Sequence, residues 1–358
     1  MKLSVGYQLG TDAGDGFAGI VEAYRDHVAE VYFAPPGMPS GRSPLPDAPE
    51  ASRRFEADLQ AIRGLGVRLN LLINASCYGG LAMSRTLERC VAGELDRLGA
   101  LVGGVESVTT TSPAVAEIVR RHAPAVAVRA SVNMRIGTIQ GMEYLADRFD
   151  GYYVQRDDNR DLAHLARLKA WADAHGKTLG LLANSGCLRF CSGQTFHDNL
   201  VSHEPDVAAE DNLDGFLPYT CWGFLRRREN WPAVLRATWI RPEDLHHYDG
   251  LFDAVKLATR MHQRPWAVIA AYARGRYEGN LLDLLEPGFG RALAPYVIDN
   301  SRFPPDWFER TSTCGGRCDE CDYCRAVLAR TCVRLEVPAA PRADTAPRAP
   351  IVRSTAKR

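Results

Sequence analysis

Eight short apolar runs recur along the chain with amphipathic stretches between them, and that alternation limits the fold more than any other feature. The runs are Leu3–Gln8, Ala29–Phe33, Val67–Asn74, Leu101–Val108, Ala125–Asn133, Gly151–Gln155, Thr178–Asn184 and Ala254–Ala258. Between them Phe55, Leu59 and Ile62 recur at helical spacing, as do Val115, Ile118 and Val119, and Leu165, Leu168 and Ala172. Strands that alternate with helices pair in parallel through crossovers, and eight such units predict an α/β (β/α)8 TIM-barrel-like fold. The competing doubly wound sheet lacks its usual sign, because no G-x-G-x-x-G follows the first strand.

With 46% hydrophobic content, a chain of 358 residues has enough apolar material for one large barrel or two domains. Its 43 basic and 43 acidic residues balance, so composition gives no footprint for nucleic acid or an anionic membrane. No apolar run approaches the roughly 18 residues of a membrane span, and Met1–Tyr7 reads as a strand rather than a signal peptide. The expectation is a soluble, cytoplasmic protein with no membrane partner.

Ten cysteines in a reducing compartment point to metal or cluster ligation more than to disulfides. Seven fall into two groups. Cys187, Cys191 and Cys221 lie on a loop that leaves the seventh strand through Ala183-Asn184-Ser185-Gly186, and the C-x3-C pair just past a strand end suits a soft metal or cluster. Cys314, Cys318, Cys321 and Cys324 lie within eleven residues and have the spacing to close round one zinc or one cubane cluster. Ferredoxin-like C-x2-C-x2-C spacing favours iron there, and zinc stays open. A match of the first three to radical S-adenosylmethionine enzymes is discounted, since those carry the motif after the first barrel strand. Cys90 reads as a small buried hydrophobe on a helix, and Cys332 has no assignment.

In a barrel, function gathers at the carboxyl ends of the strands. Those ends are expected to carry Gln8, Asn74, Glu106, Asn133, Gln155, Asp157, Asn184, Lys256 and Arg260. The segment Pro35–Ala51, with six prolines and two glycines, should be extended and serves as a lid, a partner contact or an inert loop. The connection 185–253 is long enough to be functional. Within it His197, Asn199 and His203 stand where they line one side of a turn, while the neighbours His246 and His247 should point apart on a short helix that Pro242 opens.

The order of strand, cysteine-rich loop and "WIRPEDLHHYDGLFDAVKLATR" resembles the collagenase-like U32 peptidase family, over Met1–Glu286 and most specifically from Asn184 to Arg260. That resemblance implies a barrel. Through the family's iron-sulfur branch, which includes the ubiquinone-biosynthesis pair UbiU and UbiV and oxygen-independent RNA hydroxylases, it implies a cysteine-bound 4Fe-4S cluster and prephenate as oxygen donor. Cys187, Cys191 and Cys221 fall where that branch places cluster cysteines, and Lys256 with Arg260 matches a lysine and arginine flanking its last strand. The spacing differs, Thr259 stands where the family has glycine, and a fourth cysteine is missing from the insert; Cys77, beyond the third strand, is the candidate to supply it. The peptidase label finds no G-x-S-x-G or H-E-x-x-H, and nothing in the sequence fixes a cysteine against His197 or His203.

The expected organisation is a barrel over 1–290 with an insert at 185–253, a cysteine-rich metal module at 291–336 and a disordered basic tail at 337–358. The expected function is oxygen-independent hydroxylation of a small organic substrate by an iron-sulfur oxidoreductase with one or two 4Fe-4S clusters, fed by an unidentified electron donor. Asn184, His197, Lys256 and Arg260 would orient an anionic substrate or donor. The rival readings are a non-catalytic cluster-binding subunit of a homologous partner, and an RNA hydroxylase.

Overall fold

The computed structural model describes residues 1–10, 16–42, 45 and 48–336, so the expected tail lies outside the described residues. Eight parallel strands close a barrel in sequence order: β1 Lys2–Gly6, β2 Val28–Phe33, β3 Arg68–Ile73, β4 Ser107–Thr110, β5 Ala127–Ala130, β6 Gly151–Tyr153, β7 Thr178–Leu182 and β8 Ala254–Leu257. The closing ladder sets Ser4 of β1 against Lys256 of β8. All eight expected strands are present, with the fourth misplaced. Leu101 and Val102 end the helix Arg85–Val102, which Gly103 caps at φ 74°, with the Gly103 and Gly104 amides donating to Gly99 and Leu98. Its last apolar turn reads like a strand start.

Alternation along the strands sorts the side chains into two sets. Leu3, Val5, Val31, Phe33, Leu69, Leu71, Val108, Val128 and Leu181 join Phe55, Leu59, Ile62, Val115, Val119, Leu165 and Leu168 of the helices in one core around the barrel. Their neighbours face the barrel interior, which is unusually polar. Glu30 there accepts from Ser4 Oγ at 2.8 Å, Asn70 Nδ2 at 3.0 Å and Arg129 Nη1 at 2.6 Å, and Thr109 donates to Asn70. Tyr32 and Tyr153 fill the space beside them. Gly6 and Gly180 make the room: a Cβ at either position would lie 2.6 Å or 2.5 Å from a tyrosine ring atom.

The connection from β7 to β8 contains the helices Gln194–Ser202, Glu204–Ala208, Thr220–Leu225 and Pro232–Arg236 and a 3-10 turn over Pro242–Tyr248. Leu225, Trp231, Val234, Leu235 and Trp239 from this insert share a second core with Leu281, Leu285, Phe289, Ile298, Trp307, Val327 and Leu328. β9 Tyr296–Ile298 pairs antiparallel with β10 Cys332–Arg334 beside it. Insert and C-terminal residues therefore bury one another. In the proline-rich segment the helix Pro49–Gly64 starts at Pro49, where proline's missing N–H costs nothing, so the segment's last three residues are helical and not extended. Among the described residues no helix is long and apolar enough to cross a membrane.

Candidate functional site at the carboxyl face of the barrel

The insert folds over the carboxyl ends of the strands and encloses a cavity of about 240 Å³. Cys187, Cys191 and Cys221 all line it, with Arg42, Arg156, Gln194, His197, Asp198, Tyr219, Trp222 and Glu286. Cys187 and Cys191 flank a turn in which Phe190 takes φ 52° and donates its amide to Asp157 Oδ1 at 2.7 Å. Cys221 comes from the helix Thr220–Leu225. Its thiol is pushed up to about 11, by burial first and then by the proximity of Cys187 and Cys191. The three sulfurs thus share one field.

His197 sits on the helix Gln194–Ser202 with its ring edge-on to Tyr219, centroids 5.0 Å apart. Burial, then the charge of Arg42, lowers its pKa and keeps the imidazole neutral. Glu286 opposes it in character: burial raises its pKa, and Arg42 offsets part of that. The cavity therefore offers a neutral base, a carboxyl inclined to hold its proton, and two guanidinium groups.

The other expected site residues are placed differently. Asn184 is fully buried and spends its amide on the backbone, donating to Leu284 O at 2.8 Å and Ala258 O at 3.2 Å and accepting from Ala258 N at 2.6 Å. It clasps the ends of β7 and β8, a structural role beside the catalytic one expected. Lys256 lies within β8, and its ammonium stands 3.9 Å from the Tyr32 ring centroid and 4.7 Å from that of Tyr153, below the mouth. Burial lowers its pKa to about 7; Glu30 opposes the shift, while Arg260, Arg129 and Arg42 add to it. Arg260 donates to Ser40 Oγ at 3.0 Å beneath the Ser40–Arg42 turn, and its Nη1 is buried without a hydrogen-bond partner among the described residues. Lys256 and Arg260 do not line the cavity with His197, but they stand behind it around Tyr32 and Arg42.

Cys77 is also displaced from its expected place. It does not line the cavity: its sulfur accepts from Gly79 N at 3.3 Å and pairs with His203, whose Nδ1 stands 3.4 Å from Asp206 Oδ2. The pairing, then the Gly79 amide, lowers the Cys77 pKa and raises that of His203. Glu106, expected at the carboxyl face, precedes β4 and binds Arg63 at 2.7 Å on the opposite end. Cys90 is exposed rather than buried. His246 and His247 do not point apart: their ring centroids are 4.0 Å apart, and His247 stacks on Phe308 at 3.9 Å.

Cys314, Cys318, Cys321 and Cys324 line a second cavity of about 330 Å³ against the insert residue Arg236. Among the described residues no three Cys, His, Asp or Glu side chains stand close enough together to hold a single metal ion. A cubane cluster takes each thiolate on a different iron, and the donor type it needs, three thiols in one cavity and four in the other, is present in both linings. For the insert cavity, the further donors beside the three thiols are His197, Asp198, Glu204 and Glu286. Arg42, Arg156, Tyr219, Trp222 and Glu286 were not expected; Tyr219 and Trp222 flank Cys221, while Arg42, Arg156 and Glu286 come from separate segments that no local pattern marks.

Fold and site together define a TIM-barrel α/β protein with its cavity at the carboxyl ends of the strands. No family model matches the chain. It is 26% identical over 263 residues to an uncharacterized protease, MJ1657, of Methanocaldococcus jannaschii, across 72% of this chain and 75% of that protein. The solved U32 peptidase Mk0906 has the same fold, with a TM-score of 0.51 at 17% identity over 72% of this chain and 92% of that one. The likeness to Mk0906 is one of fold, and the likeness to MJ1657 is one of sequence over most of both chains.

Proposed function

We propose that the carboxyl-face cavity holds a 4Fe-4S cluster on Cys187, Cys191 and Cys221, and that the protein is an iron-sulfur oxidoreductase hydroxylating a small organic substrate without molecular oxygen. The observation that carries this is the convergence of three thiols from two insert segments on one cavity at the carboxyl ends of the strands. When bound, the cluster supplies one-electron redox chemistry, with the hydroxyl oxygen coming from an organic donor for which the family resemblance implies prephenate. The chain's own groups do the rest. Arg42 and Arg156 attract and orient a carboxylate. His197, its pKa lowered by burial, is the base, and Glu286, its pKa raised by burial, is the partner carboxyl on the same cavity. Replacing Cys187 with Ser should remove about four irons per chain from protein purified without oxygen. Full iron content in that variant would overturn the assignment.

A second reading has its own observation. Cys77, His203 and Asp206 form a thiol–imidazole–carboxylate row at the edge of the same face, the arrangement of a nucleophilic cysteine. It gives the peptidase names of the relatives a place to act, and selective alkylation of Cys77 tests it.

A further inference from the structure

We infer that Cys314, Cys318, Cys321 and Cys324 hold a second iron-sulfur cluster, and that Arg189 couples this centre electrostatically to the insert cavity. The coupling presupposes the insert cluster proposed above; the C-terminal centre does not.

The four thiols face one cavity, and a neighbouring one of about 390 Å³ shares Cys314, Cys318 and Cys324 and adds Arg160, Arg189 and Arg236. Between Cys314 and Cys318 the chain reverses through Gly315 at φ 63° and Gly316 at φ 72°, a left-handed pair that other residues adopt only under strain. The turn brings Cys314 and Cys318 to one cavity wall, with Cys314 and Cys321 exposed at its rim. Four thiolates on a cubane, or on zinc, leave a dianion that neighbouring cations stabilise.

The compensation is already in place. Arg160 is 7% exposed and forms no ion pair among the described residues. It donates to Trp239 O at 2.8 and 3.0 Å and to Leu235 O at 3.1 Å, and its guanidinium lies 4.4 Å and 5.0 Å from the Trp239 and Trp307 ring centroids. Its hydrogen bonds are satisfied, and the groups whose negative charge would act on it are Tyr248, Cys324, Asp244 and Cys314, of which Asp244 is already bound to Arg241 at 2.7 Å. Thiolates at Cys314 and Cys324 would supply the further anion beside it. The acids at the same walls are otherwise engaged: Asp161 caps a helix through His164 N, and Glu320 pairs with Arg317 at 3.3 Å.

Arg189 joins the two centres. Cys187 and Cys191, two residues to either side, line the insert cavity, while its own side chain lines the C-terminal one. Its Nη1 would lie 2.8 Å from a Cβ at Gly316, so the glycine also admits the guanidinium, and its Nε is buried without a hydrogen-bond partner among the described residues. Leu188, Cys221 and Cys324 pack on one hydrophobic core, which fixes both thiol sets to a common scaffold.

The test uses the full chain, purified without oxygen and assayed for iron, acid-labile sulfide and zinc, with midpoint potentials from dithionite titration followed by electron paramagnetic resonance. About eight irons and eight sulfides are expected. Cys321→Ser, at an exposed position outside the packing, should lose about half of both, and Cys187→Ser the other half. Arg189→Gln should keep all the iron and lower both midpoint potentials, since the lost positive charge favoured the reduced, more negative state of each centre. One zinc with about four irons, or unchanged iron in Cys321→Ser, would overturn the second cluster. An unchanged potential at either centre in Arg189→Gln would overturn the coupling. If Cys187→Ser keeps all its iron while Cys321→Ser loses its own, the insert cluster fails and the C-terminal one stands.

Discussion

Glu30→Gln should destabilise the barrel strongly although it changes one atom of an isosteric side chain. Glu30 is 2% exposed, and its Oε2 accepts from Arg129 Nη1 at 2.6 Å while Oε1 accepts from Ser4 and Asn70. The amide retains the second pair of bonds but turns an NH2 toward the guanidinium, leaving Arg129 and nearby Lys256 without an anion. Breaking one side of a buried ion pair costs about 3–5 kcal/mol. For a chain of this size that is a fall in Tm of roughly 4–7 °C, read by circular dichroism. Burial pushes the Glu30 carboxyl up, but the charge of Arg129 and hydrogen bonds from Asn70, Ser4 and Arg129 outweigh it, and the net pKa is lowered. A lowered carboxylate contributes stability above its unfolded pKa and loses it as pH falls through the folded one, so the native chain should weaken below about pH 4.5. The variant should lack that component. Glu30→Leu with Arg129→Met, which removes both charges, should recover most of the loss. A fall in Tm below about 2 °C in Glu30→Gln would refute the reasoning, because it would mean the pair is solvated.

Two further outcomes follow from single side chains. Iodoacetamide should label Cys77 at a pH below that of an ordinary thiol, and His203→Ala should slow labelling at pH 7 several-fold by removing the partner that lowers its pKa; equal rates in the two proteins would dismiss the thiol–imidazole row. Asn184→Ala should cost about 1–3 kcal/mol by stranding the buried backbone groups of Ala258 and Leu284, with iron content unchanged in the folded protein; an unchanged Tm with lost activity would restore Asn184 to the chemistry.

The barrel was legible because its signal is local. Period-two and period-3.6 patterns report which face of each segment meets a core, and the one misplaced strand arose where a helix ended on the apolar pair Leu101 and Val102 before Gly103. The two cysteine groups were legible for the same reason, since Cys187 with Cys191 and Cys314 through Cys324 are close along the chain. Local spacing also suggested roles that packing did not support. Asn184 ends a strand, as a catalytic residue of a barrel does, but its amide is used up on the backbone of Ala258 and Leu284. Cys77 follows a strand on the right face, but its thiol turns to His203, far away in sequence.

By itself, then, the sequence determined the number and order of strands, the two thiol sets and the long insert between β7 and β8. Tertiary structure alone decided that the insert and the C-terminal residues share a core, that Arg42, Arg156 and Glu286 meet His197 at one cavity, and that Arg160 and Arg189 converge on Cys314, Cys318 and Cys324. Hydrophobic period and residue spacing are properties of neighbours in the chain. Charge compensation and the making of a cavity depend on which distant segments the fold brings together, and only closure of the barrel sets those distances.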